Sequence, residues 1–236
     1  MAGVKNIDNI IRFMRDNGFA TIKRNTHQYD MQGVLNIVTT IGRCRLSSFV
    51  IDDKNRFAYE NIIKWLMGDP TMKAINPTTG SEVAGRLNAG LYIAGGTGTG
   101  KSWCLDILRV FAKLYHLTYL EGDVSCGIQW DSLRCDEVCD NYAVNGELAR
   151  YKSMRTVCFH DLGAEPTESL FMGNRQNVMK QIIECRGDRS NLFTHFTSNY
   201  PMSHDKLKQR YGDRVCSRLL DMCNYITIKG SDRRKH

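Results

Sequence analysis

The stretch Gly95-Gly96-Thr97-Gly98-Thr99-Gly100-Lys101-Ser102 decides how the rest of the chain is read. It matches the phosphate-binding pattern G-x-x-x-x-G-K-[ST] in full. Just before it, Leu91-Tyr92-Ile93-Ala94 is an apolar run of strand length. Just after it, Cys104, Ile107, Leu108, Phe111 and Tyr115 recur at helical spacing. Strand, glycine loop and helix in that order surround a phosphate with backbone N–H groups and the positive end of a helix. Glycine supplies the backbone freedom the loop needs. In this pattern Lys101 reaches the outer phosphates and the Ser102 hydroxyl is a ligand to Mg²⁺. Gly95, Gly96, Thr97, Gly98, Thr99, Gly100, Lys101 and Ser102, with Trp103 beside them, are therefore the candidate cofactor-binding residues, for ATP and Mg²⁺.

Upstream, residues 74–88 hold Pro77, Gly80 and Gly85 and read as a loop. Residues 56–67 read as a helix ended by Gly68 and Pro70, and Phe49-Val50-Ile51 as a short strand. Asp30 is placed to cap a helix carrying Met31, Val34, Leu35, Val38 and Ile41. Ile7, Ile10, Ile11 and Met14 share one face of a first helix, which Gly18 is placed to stop. These apolar stripes need a partner surface, from the chain's own core or from another protein.

Downstream, Leu117-Thr118-Tyr119-Leu120 is a second candidate strand, and Cys135, Val138, Cys139 and Tyr142 mark a helix ending before Gly146. Thr156-Val157-Cys158-Phe159 is a strand that delivers His160-Asp161 at its tip. Val178, Met179, Ile182 and Ile183 mark a helix, and residues 192–197 a strand ending at Ser198-Asn199. Strands alternating with helices predict an α/β fold: a mostly parallel sheet covered on both faces, with ligands at the carboxyl ends of the strands. The glycine loop, Asp161 and Asn199 all fall at such ends.

The chain of 236 residues, 42% hydrophobic, suffices for one sizeable domain and a small extra one. It has no apolar run of about 18 residues and no signal-peptide layout at its start, which predicts a cytoplasmic protein with no membrane contact. Its nine cysteines form no C-x-x-C pair and read as reduced and mostly buried. A net charge of +7 attracts polyanions without naming one. Lys23-Arg24, Arg43 with Arg45, the Arg150-Lys152-Arg155 group and Arg233-Arg234-Lys235 are modest clusters, for each of which a solvated face is the commoner explanation.

With the glycine loop, "FHDLGAEP" at 159–166, "TSN" at 197–199 and "RYGDRVCSRLLDMC" at 210–223, the sequence resembles the AAA+ ATPases of the DnaC-type helicase-loader and IstB-type transposition-helper group. The resemblance covers roughly residue 49 to the C-terminus. It implies a P-loop NTPase (AAA+) three-layer fold over 49–236, preceded by a small helical partner-binding region at 1–48. It further implies Asp161 at Walker B, Asn199 as sensor 1, and Arg218 as a finger to the neighbouring subunit's nucleotide, supported by Arg214. Arg233, in the closing "SDRR", is implied as a second cation for the phosphates.

Phosphoryl transfer is mostly positioning and charge neutralisation, so these are the groups such a site requires. One departure stands out. The family's Walker B strand ends in two acids, and here the pair is His160-Asp161. Imidazole is a poor ligand for Mg²⁺, so Asp161 is expected to carry the metal, with Glu165 a weak candidate for the missing carboxylate. The expectation is a slow ATPase that assembles on single-stranded DNA and passes a replicative ring helicase onto it. Residues 1–48 would grip the helicase, and subunits would associate through Arg218. Tyr142, Tyr151, Arg150, Lys152 and Arg155 lie where the resemblance puts DNA-facing helices. A transposition helper on duplex DNA is the alternative.

Overall fold

The computed structural model describes residues 7–16, 22–189 and 191–233. Helix α1 (Ile7–Asp16) is followed by strand β1 (Ile22–Arg24) and helices α2 (Met31–Arg45) and α3 (Arg56–Met67). A hairpin of β2 (Lys73–Ile75) and β3 (Glu82–Ala84) leads to β4 (Gly90–Ala94), the glycine loop and α4 (Lys101–Leu114). Next come β5 (Thr118–Glu121), β6 (Val124–Gly127), β7 (Asp131–Arg134), α5 (Cys135–Asn145), α6 (Ala149–Ser153) and β8 (Thr156–His160). A second hairpin, β9 (Ser169–Phe171) and β10 (Asn174–Gln176), precedes α7 (Val178–Gly187), β11 (Phe193–Ser198), α8 (Asp205–Tyr211), α9 (Asp213–Met222) and β12 (Cys223–Thr227).

Five strands form one sheet in the order β12-β4-β11-β8-β7, with every neighbouring pair parallel. Strand β4 is interior and buried on both faces, which is why it reads as an unbroken apolar run. Leu91 and Ile93 join a core with Trp65, Leu105 and Leu108 from α3 and α4. Tyr92 and Ala94 point the other way, to a core with Val138, Ile182 and Leu219 from α5, α7 and α9. Period-two alternation on a sheet thus produces three layers. At Gly90 the backbones approach so closely that any side chain would collide with the Thr194 carbonyl of β11.

The caps follow the sequence. Asp30 accepts from the N–H groups of Gln32 at 3.3 Å and Gly33 at 2.6 Å. Gly68 and Gly146 end α3 and α5 with φ of 68° and 70°, in the left-handed region that glycine tolerates. The stop expected at Gly18 lies outside the described residues.

Other expectations are corrected. Phe49-Val50-Ile51 is not a strand. Its carbonyls are taken by side chains, Arg43 Nε on Phe49 and Asn55 Nδ2 on Val50, so no ladder forms. The expected loop 74–88 contains part of the β2–β3 hairpin, turned where the Asn76 side chain accepts from the N–H groups of Thr78 and Thr79. Strand β5 lies outside the parallel sheet, between β1 and β6 in an antiparallel one. The edge place beside β8 belongs instead to β7, a polar segment with no apolar pattern to announce it. Tyr142 and Tyr151 are buried in the core and are not available to stack on DNA bases.

Residues 22–48 share packing with the nucleotide half of the chain. Strand β1 pairs with β5, and Val34, Leu35 and Val38 of α2 lie in the same core as Leu105 and Leu108. Among the described residues, no helix is long and apolar enough to cross a membrane.

Candidate functional site

The glycine loop joins the carboxyl end of β4 to α4, and β8 and β11 end beside it. Their tips open into one cleft of about 990 Å³, within the size range of cofactor sites. Residues 97–103, Asp161, Asn199 and Arg233 line it. Gly95 and Gly96, expected among the cofactor-binding residues, do not line it. The Lys101 ammonium, on a residue only 6% exposed, donates to Gly95 O at 2.9 Å, Gly96 O at 2.8 Å and Asn199 Oδ1 at 2.7 Å. The loop lysine and the residue after β11 are thus in direct contact.

The segment after β12 closes one side of the loop. Ile228 N donates to Ala94 O at 2.8 Å and Arg233 N to Gly98 O at 2.9 Å. At Gly98, where φ is 75°, a side chain would collide with the Asp232 carboxylate. Glycine is required there on both counts. One guanidinium nitrogen of Arg233, NH2, donates to both Asp52 oxygens, at 2.7 and 2.9 Å. It therefore lines the cleft with its charge already matched.

Asp161 has a left-handed backbone, φ 59°, at a cost of about 1–2 kcal/mol for an ordinary residue and less for Asp. Strand β11 holds it there, since Asp161 N donates to Thr197 Oγ1 at 3.1 Å and Leu162 N to Thr197 O at 2.8 Å. Its carboxylate lies 3.5 Å from Arg134 NH1, at the tip of β7. Arg134 also lines the cleft and forks onto Asp136 at 3.0 and 2.8 Å. Sequence reading missed Arg134 along with its strand. It also missed Phe49 and Tyr59, which form an apolar wall of the cleft and carry no motif.

His160 faces the other way. It is buried, does not line the cleft, and sets Nδ1 3.3 Å from Thr197 Oγ1. Burial first, against the attraction of Asp106 and Asp161, lowers its pKa, so the ring is neutral. Glu165 is no spare carboxylate for the cleft. It is buried, and accepts from Gly163 N at 2.8 Å, Arg210 Nε at 3.2 Å and the Tyr211 hydroxyl.

Arg214 and Arg218 are not brought to the cleft of their own chain. Arg218 NH1 donates to Glu184 O at 2.9 Å and Asp188 Oδ1 at 2.5 Å, a cation closing the carboxyl end of α7. Arg214, one turn earlier, is exposed.

No protein-family model and no curated protein matches the sequence. Solved structures do. One is a candidate primosome component from Streptococcus pyogenes serotype M3, with TM-score 0.51 and 20% identity, over 80% of this chain and 87% of that one. Another is the DnaC helicase loader, with TM-score 0.49 and 16% identity, over 78% and 95%. AMPPCP-bound DnaA from Aquifex aeolicus aligns with TM-score 0.44 and 18% identity, over 78% and 48%. At such identity the first likeness is one of fold. The chain has an α/β, three-layer P-loop NTPase fold built on a parallel five-strand sheet, and it shares that fold with the first of these structures.

Proposed function

We propose that this chain is a helicase-loader-like AAA+ ATPase that binds ATP with Mg²⁺ and single-stranded DNA and delivers or remodels a replicative ring helicase in the cytoplasm. The observation that carries the reading is the meeting of Lys101, Asp161 and Asn199 in one cleft at three strand ends. Lys101 neutralises the outer phosphates against the loop N–H groups. Asn199 places the terminal phosphate or the attacking water. Mg²⁺, when bound, draws negative charge off the phosphates during transfer. The donors present suit that hard cation: a hydroxyl from Ser102, a carboxylate from Asp161, and the substrate's own oxygens. Hydrolysis is slow because only one acid stands at the tip of β8, and it is paired with Arg134.

Arg214 and Arg218 are the proposed contacts with a second subunit's nucleotide. Arg218 must first leave Asp188. The helicase grip is the apolar stripe of α1, where Ile7, Ile10, Phe13 and Met14 are 69%, 46%, 61% and 40% exposed. DNA contact falls to charges such as exposed Arg150 rather than to buried Tyr142 or Tyr151.

The test is co-purification of the full chain with ring helicases in ATP and in ADP, alongside binding to single- and double-stranded DNA. Nucleotide-dependent capture together with a single-strand preference is expected. Filaments on duplex DNA with no helicase capture would instead favour the transposition helper.

Arg134 competes with any cation at Asp161. Arg134→Ala is therefore expected to lower the Mg²⁺ concentration that half-saturates nucleotide binding, by about two- to fivefold, since its exposed ion pair is worth at most about 1 kcal/mol. A magnesium titration of nucleotide affinity checks the sign; a rise would make Arg134 a phosphate ligand instead.

A further inference from the structure

The turn that follows Asp161 is clamped from two sides. On the inside, Thr197 and Ser198 of β11 hold Asp161 and Leu162, with Ser198 Oγ donating to Leu162 O at 2.6 Å. On the outside stands a cluster that the roles above leave unused: buried Glu165 and Tyr211 with partly buried Arg210. The Glu165 carboxylate accepts from Gly163 N within the turn and from Arg210 and Tyr211 of α8. Arg210 also donates to Glu165 O and to Thr167 Oγ1, the latter at 3.2 Å, so one guanidinium fixes the loop at three points. Between these two clamps lie two left-handed residues, Asp161 at φ 59° and Gly163 at φ 95°.

An ion pair with its carboxylate buried and its guanidinium partly so adds little net stability, because desolvation offsets the attraction. What it does add is geometry. Gly163 N needs a fixed acceptor, and the three donors on one carboxylate leave Glu165 a single place to stand. Burial raises the pKa of Tyr211, with Glu165 adding to the shift, so its hydroxyl stays protonated and can donate to Glu165.

We propose that Glu165, held by Arg210 and Tyr211, is the positioning residue that keeps Asp161 in its left-handed place and thereby sets the metal-dependent part of nucleotide binding. The inference rests on the reading of Asp161 as the metal's partner. It makes α8, remote in sequence from the glycine loop, a determinant of how much Mg²⁺ adds to affinity.

The test measures nucleotide affinity of the full chain in Mg²⁺ and in EDTA, by calorimetry with a non-hydrolysable ATP analogue. In Glu165→Gln the gain in affinity on adding Mg²⁺ is expected to fall at least fivefold, while affinity in EDTA changes less than twofold. A purely structural role would lower both together, and that result, or an undiminished gain, overturns the inference. Tyr211→Phe leaves the ion pair and is expected to cut the gain two- to threefold. It decides the matter in the same way should Glu165→Gln not fold. No gain from Mg²⁺ in the unaltered chain would instead overturn the reading of Asp161, and this inference with it.

Discussion

Lys101→Ala is expected to lower nucleotide affinity by about 100-fold or more while leaving the fold in place. The ammonium is buried at the base of the cleft, in hydrogen-bond contact with two loop carbonyls and with Asn199. Hydrogen bonds to a charged group contribute roughly 1.5–3 kcal/mol each, and two of them redirected to phosphate oxygens amount to about two to four powers of ten. Asn199 lines the cleft, and neither Gly95 nor Gly96 is buried, so water can replace the lost donor. The melting temperature should therefore move by only a few degrees. Arg is not an adequate substitute, because its planar fork cannot occupy the compact position of an ammonium between Gly95 O and Gly96 O. Calorimetry with an ATP analogue, beside a thermal melt, separates the two effects. Affinity within threefold of the unaltered chain would remove Lys101 from the phosphate site.

What the sequence made legible was whatever is dictated locally. The glycine loop, the strand before it and the helix after it are adjacent in the chain, and β8 carries an unbroken apolar run, Val157-Cys158-Phe159, while β11 shows Phe193 and Phe196 among polar residues. Asp161 and Asn199 could then be placed at strand tips by counting. Helix ends at Gly68 and Gly146 were equally local.

What was not legible depends on partners far away in the chain. Strand β7, Asp131-Ser132-Leu133-Arg134, is an edge strand that pairs with β8 alone and is not buried, so its sequence carries no apolar run. With it went Arg134, whose guanidinium lies 3.5 Å from the Asp161 carboxylate. Strand β5 is apolar enough to have entered the parallel sheet, but it pairs with β1 near the start of the chain. Local pattern cannot choose between two sheets. Local pattern is equally silent on the packing of α2 against α4, which joins residues far apart in the chain. Glu165 carries the same lesson at the site. Its sequence position, four residues after Asp161, suggests a spare acid, and only the fold reveals that Arg210 and Tyr211 hold it away.

Acid is expected to destabilise the chain steeply, and His195→Phe to remove much of that effect. His195 is fully buried on β11, with its ring 5.2 Å from Trp65 and 4.8 Å from Trp130. Neither ring nitrogen has a hydrogen-bond partner among the described residues. Burial first, then the positive charges of Arg24 and Arg186 and the neighbouring His160, pull its pKa from 6.5 to about 3. The folded protein thus keeps the imidazole neutral where the unfolded chain would protonate it. Between pH 6.5 and about 3 the unfolded state binds one more proton than the folded state, so stability falls as pH falls. The slope is about 1.4 kcal/mol per pH unit, which gives roughly 2–3 kcal/mol by pH 4.5. For a chain of this size that corresponds to about 5–10 °C in melting temperature. Phe fills the slot between the two Trp rings without a proton to gain, and costs little at neutral pH because the imidazole nitrogens make no bonds to lose. Urea unfolding at pH 7 and pH 4.5 is the measurement. Titrating carboxylates and His160 act alike in both proteins, so the difference between the two profiles isolates His195. Parallel profiles would show that its ring is already protonated, or solvated, in the folded state.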